Sequence, residues 1–173
     1  TPGQANSLPQ EDPPEDDPPE DPIEEDPPPP PPVNFWDFII INEFLPNPAG
    51  RDDNEWIEIY NSGNNPVDLV GFKLQDNSAR IFTLDEHVLS GGQYLVLDKN
   101  TTGISLNNTG GDSVNLYNPD GELLESVIYQ DTAQEDKSFA RLGDAWQWTI
   151  EPTPGQGNIF VANQPPVAKI SIE

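Results

Sequence analysis

Five acidic residues within a short stretch of the sequence offer oxygen atoms to a hard cation. Asp52 and Asp53 lie between two apolar runs, Glu55 follows them, and Glu43 and Glu58 lie within the runs. Carboxylate oxygens are the ligands that Ca²⁺ prefers, although the spacing does not match an EF-hand loop. The sequence therefore predicts either a calcium site formed by Glu43, Asp52, Asp53, Glu55 and Glu58 or a solvated acidic loop.

The sequence offers few residues that could support nucleophilic catalysis, redox chemistry or zinc binding. It contains one histidine, His87, and no cysteine. A serine hydrolase would have to use His87 as its base, and no serine lies in a nucleophile elbow. Zinc and redox-metal sites usually need clusters of histidine or cysteine. We therefore predict that the domain has no catalytic residues and is not an enzyme.

Two aromatic residues near the acidic stretch are candidates for stacking on a sugar ring. Trp56 and Tyr60 lie at even spacing in one extended run, so they share a face of the strand. Because Ile57 and Ile59 take the inner face, Trp56 and Tyr60 are predicted to point outward. There they are either covered by the aromatic segment 35–38 or available to a carbohydrate.

Short β-strands are the elements that must position these side chains. Residues 39–41 and 56–60 form β-branched or alternating runs, and the Pro and Gly residues between them disfavour helix. Similar runs follow at 67–75, 80–84, 93–98, 113–117, 122–129 and 138–142. A hairpin turn is predicted at 118–121, and strands at this spacing predict an all-β sandwich. The predicted core residues are Ile41, Ile57, Ile59, Leu69, Phe72, Leu95, Val114 and Leu116.

Several short motifs, taken in order, resemble the lamin tail domain of bacterial and archaeal extracellular proteins. They are Ile41-Asn42-Glu43-Phe44, Asn47-Pro48, Glu55-Trp56-Ile57-Glu58-Ile59-Tyr60-Asn61, Leu69-Val70-Gly71-Phe72, Leu89-Ser90-Gly91-Gly92-Gln93-Tyr94-Leu95-Val96, Gly111-Asp112-Ser113-Val114-Asn115-Leu116 and Thr153-Pro154-Gly155-Gln156-Gly157-Asn158. The resemblance covers residues 35–160. It implies an immunoglobulin-like β-sandwich with a non-catalytic role, and it identifies no ligand.

Composition separates residues 7–34 from the rest of the chain. This segment has twelve prolines, ten acidic residues and no Lys or Arg, so it cannot bury enough apolar surface to offset the entropy of ordering. It is predicted to be a disordered acidic Pro-rich linker, with a reach on the order of 80 Å at about 3 Å per residue. Residues 35–160 contain twenty acidic and six basic residues, a charge of −14, which argues against nucleic-acid binding.

The hexapeptide Thr1-Pro2-Gly3-Gln4-Ala5-Asn6 occurs again, with one change, at residues 153–158. Because the second copy ends the lamin-tail-like region, residues 1–6 are predicted to end a preceding repeat domain. A chance recurrence of turn-forming residues is the alternative. Residues 161–173 are predicted to be a tail, an edge strand of the same sandwich, or the start of a following immunoglobulin-like module, since residues 163–168 resemble the opening of a polycystic-kidney-disease repeat.

Together these inferences favour a non-catalytic structural or interaction module of a multidomain secreted or cell-surface prokaryotic protein. The expected partners are a protein or a cell-surface polymer, together with neighbouring domains of the same chain. The alternative is a carbohydrate- or calcium-binding accessory domain of an extracellular hydrolase. The sequence has no apolar run of 18 residues and no signal peptide. We therefore expect no membrane insertion, and an extracellular or cell-surface location specified by sequence outside this piece.

Overall fold

The computed structural model describes residues 35–160, in which β-branched and aromatic runs form eleven strands. They are β1 (Ile39–Leu45), β2 (Trp56–Asn61), β3 (Val67–Asp68), β4 (Lys73–Gln75), β5 (Ile81–Thr83), β6 (Val88–Leu89), β7 (Tyr94–Asp98), β8 (Asp112–Tyr117), β9 (Leu123–Tyr129), β10 (Ser138–Leu142) and β11 (Ala145–Thr149). Two 3₁₀ turns (Phe35–Phe38 and Asp52–Asn54) and one short helix, α1 (Lys99–Thr102), complete the described secondary structure. The predictions for residues 1–6, 7–34 and 161–173 lie outside the described residues.

Two antiparallel sheets face each other across the core. The larger sheet has the strand order β11-β10-β1-β2-β7, and the smaller has the order β5-β4-β8-β9. Strands β3 and β6 pair with each other in a separate two-stranded ladder that is part of neither sheet. This arrangement confirms the predicted all-β, immunoglobulin-like sandwich. In the part of the chain that the structure describes, no helix is long and apolar enough to span a bilayer.

The core forms between the inner faces of the two sheets, as the alternation of apolar residues requires. Seven of the eight predicted core residues are buried, and Leu95 is half-buried against the same cluster. Ile57 and Ile59 project from β2 into this core, while Leu74 and Leu116 are paired across the smaller sheet. The face assignment of β2 is therefore confirmed.

The prediction of one continuous strand over residues 67–75 is wrong. The chain instead forms β3 and β4, which belong to different sheets. Between them Gly71 has a φ of 83°, and the amide of Phe72 donates to the carbonyl of Leu69 over 3.0 Å, so the chain turns there. Strands β6 and β11 were not predicted. The hairpin at 118–121 is confirmed, because it joins β8 to β9 with Gly121 at φ 87°.

Strand β2 is buried on both faces, although its alternation of apolar and polar residues is typical of a strand with one solvent-facing side. Trp56 is only 9% exposed, which removes it as an open sugar platform. Tyr60 is half-buried and stacks on Tyr94 with their ring centroids 4.4 Å apart. Trp36, from the N-terminal turn, lies edge-on to Phe72 at 6.2 Å. Glu58 lies on the outer face of β2, where residues near the C-terminal end of the described chain, including Gly155, cover it.

Candidate functional site

Glu43 and Glu58 form a pair on the outer face of the larger sheet. They are directly opposite in the β1-β2 register, and each is 0% exposed. A register shift between Ile41 and Glu43 places them there, because Asn42 is an extra residue that reverses the alternation of β1. Without this bulge, Glu43 would share the inner face with Ile41.

Glu43 is held by donors from β10 and from residues 153–158, which we call the closing segment. The Thr153 amide donates to Oε2 over 3.1 Å, and the Thr153 hydroxyl donates to the same oxygen over 2.8 Å. The hydroxyl of Ser138 donates to Oε1. Glu43 therefore ties β10 and the closing segment to β1.

Glu58 is held by the bulge residue and by the closing segment. The Asn42 side-chain amide donates to Oε1 of Glu58 over 2.7 Å, and the Gly155 amide donates to Oε2. Asn42 Nδ2 also donates to Asn158 Oδ1 over 2.9 Å, and Asn158 Nδ2 donates to the Arg141 carbonyl over 2.8 Å. The closing segment is thus bonded at Thr153, Gly155 and Asn158.

The chemistry of this pair explains why both residues are acids. The neighbouring groups are amides and hydroxyls that donate hydrogen bonds, and a carboxylate accepts at both oxygens. The pKa of Glu58 is raised to about 7, chiefly because the group is buried and to a smaller extent because Glu43 is near, and the hydrogen bonds from Gly155 and Asn42 partly oppose the increase. A carboxyl group with this pKa changes charge near neutral pH.

Glu55 lies in a different environment. It is buried, with its Oε1 2.6 Å from the Lys99 ammonium and its Oε2 accepting the Leu106 amide over 2.7 Å. Burial raises the pKa of Glu55, and the Lys99 hydrogen bond partly offsets this increase. Glu55 therefore fastens the segment after β7 to the start of β2.

Asp52 and Asp53 lie in the 3₁₀ turn and belong to neither of these environments. Asp53 pairs with Arg51 on the surface, and Asp52 Oδ1 accepts the Asn108 side-chain amide over 3.3 Å. Of the five predicted calcium ligands, the structure places only Glu43 and Glu58 together. Within residues 35–160, no group of three or more acidic, histidine or cysteine side chains is arranged to hold a metal ion. Calcium binding stays a prediction.

The side chains that complete the Glu43/Glu58 site were not predicted to belong to it. Ser138, Thr153 and Asn158 are far from β1 and β2 in sequence, and no local pattern reveals the contacts. The available signal was the repeated hexapeptide, which contains Thr153 and Asn158. His87, the one histidine, is exposed.

A second feature lies on the outer face of the smaller sheet. A depression of about 230 Å³ is lined by Lys73, Gln75, Ile81, Tyr117 and Gly121. Ile81 is 56% exposed, and Ile128 on the edge strand β9 is 61% exposed. We call the whole outer face of the smaller sheet, including this depression, Ile81 and Ile128, the outer sheet face.

Comparison with known protein families identifies a family for most of the domain. The family model described as Lamin Tail Domain matches residues 37–131, more than half of the 173 residues. The matched residues include Glu43 and Glu58 and end before the closing segment. No curated protein and no solved structure matches the chain.

Proposed function

The chain belongs to the lamin tail domain family, and from this premise we propose that it is a non-catalytic interaction module. The parent is proposed to be a multidomain secreted or cell-surface prokaryotic protein. The proposed partner is a protein or a cell-surface polymer, in addition to neighbouring domains of the same chain. A charge of −14 on residues 35–160 disfavours nucleic acid and favours an uncharged or basic partner.

The observation that supports a non-catalytic role is the burial of the acidic motif residues. Glu43 and Glu58 are 0% exposed, and both oxygens of each accept hydrogen bonds from the protein itself. A general acid or base must come within hydrogen-bonding distance of its substrate. These carboxyl groups instead join β1, β2, β10 and the closing segment, so their role is to stabilise the domain.

The outer sheet face is the surface that we propose for the partner. Its exposed apolar side chains, Ile81 and Ile128, lie on β5 and β9, the two edge strands of the smaller sheet. Between these edges lies the depression beside Tyr117. An aromatic ring and exposed aliphatic side chains are common at the centre of protein interfaces.

Site-specific photo-crosslinking in the organism that encodes the chain tests this proposal. A photoreactive amino acid replaces Ile81 or Ile128 in separate variants, and Val88, which is 62% exposed on the small β3-β6 ladder, is the matched control position. We expect one discrete product from the two outer-sheet positions and none from Val88. Equal crosslinking from all three positions would contradict the proposed surface.

The proposed cell-surface location is tested separately. A membrane-impermeant label should reach the domain on intact cells.

The second candidate is an accessory domain that binds calcium or carbohydrate. The turn at Asp52–Asn54 supports calcium, because neither of its two carboxylates is buried and their partners, Arg51 and Asn108, hold them at the surface. For carbohydrate, the half-buried Tyr60/Tyr94 stack offers an aromatic surface on the larger sheet. Stabilisation of the domain by Ca²⁺ beyond the effect of ionic strength distinguishes this candidate.

A further inference from the structure

We propose that the Glu43/Glu58 site is an acceptor site for peptides of sequence Thr-Pro-Gly-x-x-Asn, and that residues 1–6 are a second ligand, which binds this site in another copy of the domain. The inference goes beyond the proposed function, because its site lies on the larger sheet and not on the outer sheet face. The partner is then a second lamin tail domain, joined to this one by exchange or donation of closing segments.

Recognition of the closing segment depends on three of its own residues. Thr153 donates through its amide and hydroxyl to Glu43, Gly155 donates through its amide to Glu58, and Asn158 bonds to Asn42. Pro154 and the two residues after Gly155 are exposed. The sequence Thr-Pro-Gly-x-x-Asn therefore contains the groups that the site binds.

The closing segment is organised for binding by its own turn. The Thr153 carbonyl accepts the Gln156 amide over 3.0 Å, and Gly155 has a φ of 79°. Proline at the second position and a positive-φ glycine at the third are the signature of a type II turn. This turn presents the Thr153 and Gly155 amides to the two carboxylates, and a preorganised peptide loses less entropy on binding.

Residues 1–6 carry the same recognition groups in the same order. Thr1, Pro2, Gly3 and Asn6 match Thr153, Pro154, Gly155 and Asn158, and the single difference is Ala5 in place of Gly157. A Cβ at position 157 would have the Tyr94 hydroxyl as its nearest neighbour, at 3.5 Å, which is an ordinary contact. The one substitution in the repeat is therefore compatible with the site.

The closing segment can leave the site without displacing the inner core. It follows Ile150 and Glu151, which are exposed, and four of its six residues, 154–157, are exposed. Its contacts with Glu43 and Glu58 are hydrogen bonds on the outer face of the sheet, while the apolar core lies on the other face. A site without a closing segment would leave Glu43 with the Ser138 hydroxyl and Glu58 with the Asn42 side chain as donors, but without those from Thr153 and Gly155. This loss of hydrogen bonds favours capture of another donor peptide.

Peptide exchange in the full chain tests the inference. A protease recognition sequence is inserted between Glu151 and Pro152, and Gly3→Ala prevents residues 1–6 of the same chain from competing. After cleavage, binding of fluorescent N-acetylated peptides is followed by anisotropy. The peptides are residues 153–158, residues 1–6, and residues 1–6 with Gly3→Ala, which adds an alanine at the position where Gly155 has a positive φ.

We expect the two natural peptides to bind within about tenfold of each other and the Gly3→Ala peptide to bind at least tenfold more weakly. The inference would be overturned if the peptide of residues 1–6 and its Gly3→Ala variant bound equally well. It would also be overturned if only the peptide of residues 153–158 bound. If cleavage unfolds the domain, uncut Thr153→Val chain is used instead. Peptide 1–6 should then raise its melting temperature in a concentration-dependent manner, and no increase would count against the inference. The crosslinks from Ile81 and Ile128 do not depend on the hexapeptide, so failure here is distinguishable from failure of the proposed function.

Discussion

Substitution of Glu58 by glutamine should remove a large part of the pH dependence of this domain's stability. The folded-state pKa of Glu58 is raised to about 7, from 4.5 for an unperturbed glutamate, chiefly because the group is buried. Between these two values the folded protein keeps a proton that the unfolded chain releases. By linkage, the free energy of unfolding then decreases as pH rises.

The expected magnitude follows from the interval between the two pKa values. At about 1.36 kcal/mol for each pH unit, the interval from 4.5 to about 7 corresponds to about 3 kcal/mol. This contribution is fully present below pH 4.5 and is lost as pH rises through about 7. The physical reason for the loss is chiefly that the ionised Glu58 is buried away from water, and to a smaller extent that it lies near Glu43.

Urea unfolding between pH 4 and pH 8.5 measures this effect. Other groups also titrate, since the pKa of Glu55 is raised and that of Asp98 is lowered. The quantity to follow is therefore the difference in unfolding free energy between wild type and Glu58→Gln at each pH. The unfolding free energy of wild type should fall by about 3 kcal/mol relative to that of Glu58→Gln as the pH rises from about 4 to about 8.5. The exposed Glu86→Gln variant is the matched control, and its profile should parallel that of wild type.

A constant difference between wild type and Glu58→Gln at all pH values would refute this reasoning. It would mean that Glu58 ionises at the same pH in the folded and unfolded states, despite being 0% exposed. A difference that grows with pH in favour of wild type would also refute it, because the sign would be that of a carboxylate stabilised by its donors.

Three further predictions concern the core, the buried ion pair and calcium. Ile57→Ala should cost roughly 2 to 5 kcal/mol in urea unfolding, because Ile57 is buried in the core, and a cost below about 0.5 kcal/mol would contradict its placement. Lys99→Met should cost about 1 to 3 kcal/mol by leaving the Glu55 carboxylate buried without its cation, and a second change, Glu55→Gln, should recover part of this in a double-mutant cycle. If the second candidate holds and the Asp52–Asn54 turn binds Ca²⁺, millimolar Ca²⁺ should raise the melting temperature more than NaCl of equal ionic strength does, with about 2.7 kcal/mol gained at a hundredfold excess over Kd. Asp52→Asn and Asp53→Asn should abolish that difference, and equal shifts in both salts would reject the calcium site.

Local sequence patterns predicted most of the strands and most of the core. Alternation is a local property, so the pattern in β2 was enough to place Ile57 and Ile59 inside. Turn chemistry is also local, which is why the hairpin at 118–121 was predictable, whereas residues 67–75 needed the turn at Gly71 to be recognised. The lamin-tail motifs were likewise readable from the chain.

The burial and the hydrogen-bonding partners of the five acidic residues depend on the tertiary structure. The bulge at Asn42 moves Glu43 to the face of Glu58, and no alternation pattern shows an inserted residue. Whether that outer face meets water depends on the closing segment, whose Gly155 is 97 residues from Glu58. Burial on a sheet's outer face is set by whatever packs over it, and this is a non-local property. The same five acidic residues that resemble a cation site in sequence therefore become one buried pair, one ion-paired glutamate and two surface aspartates.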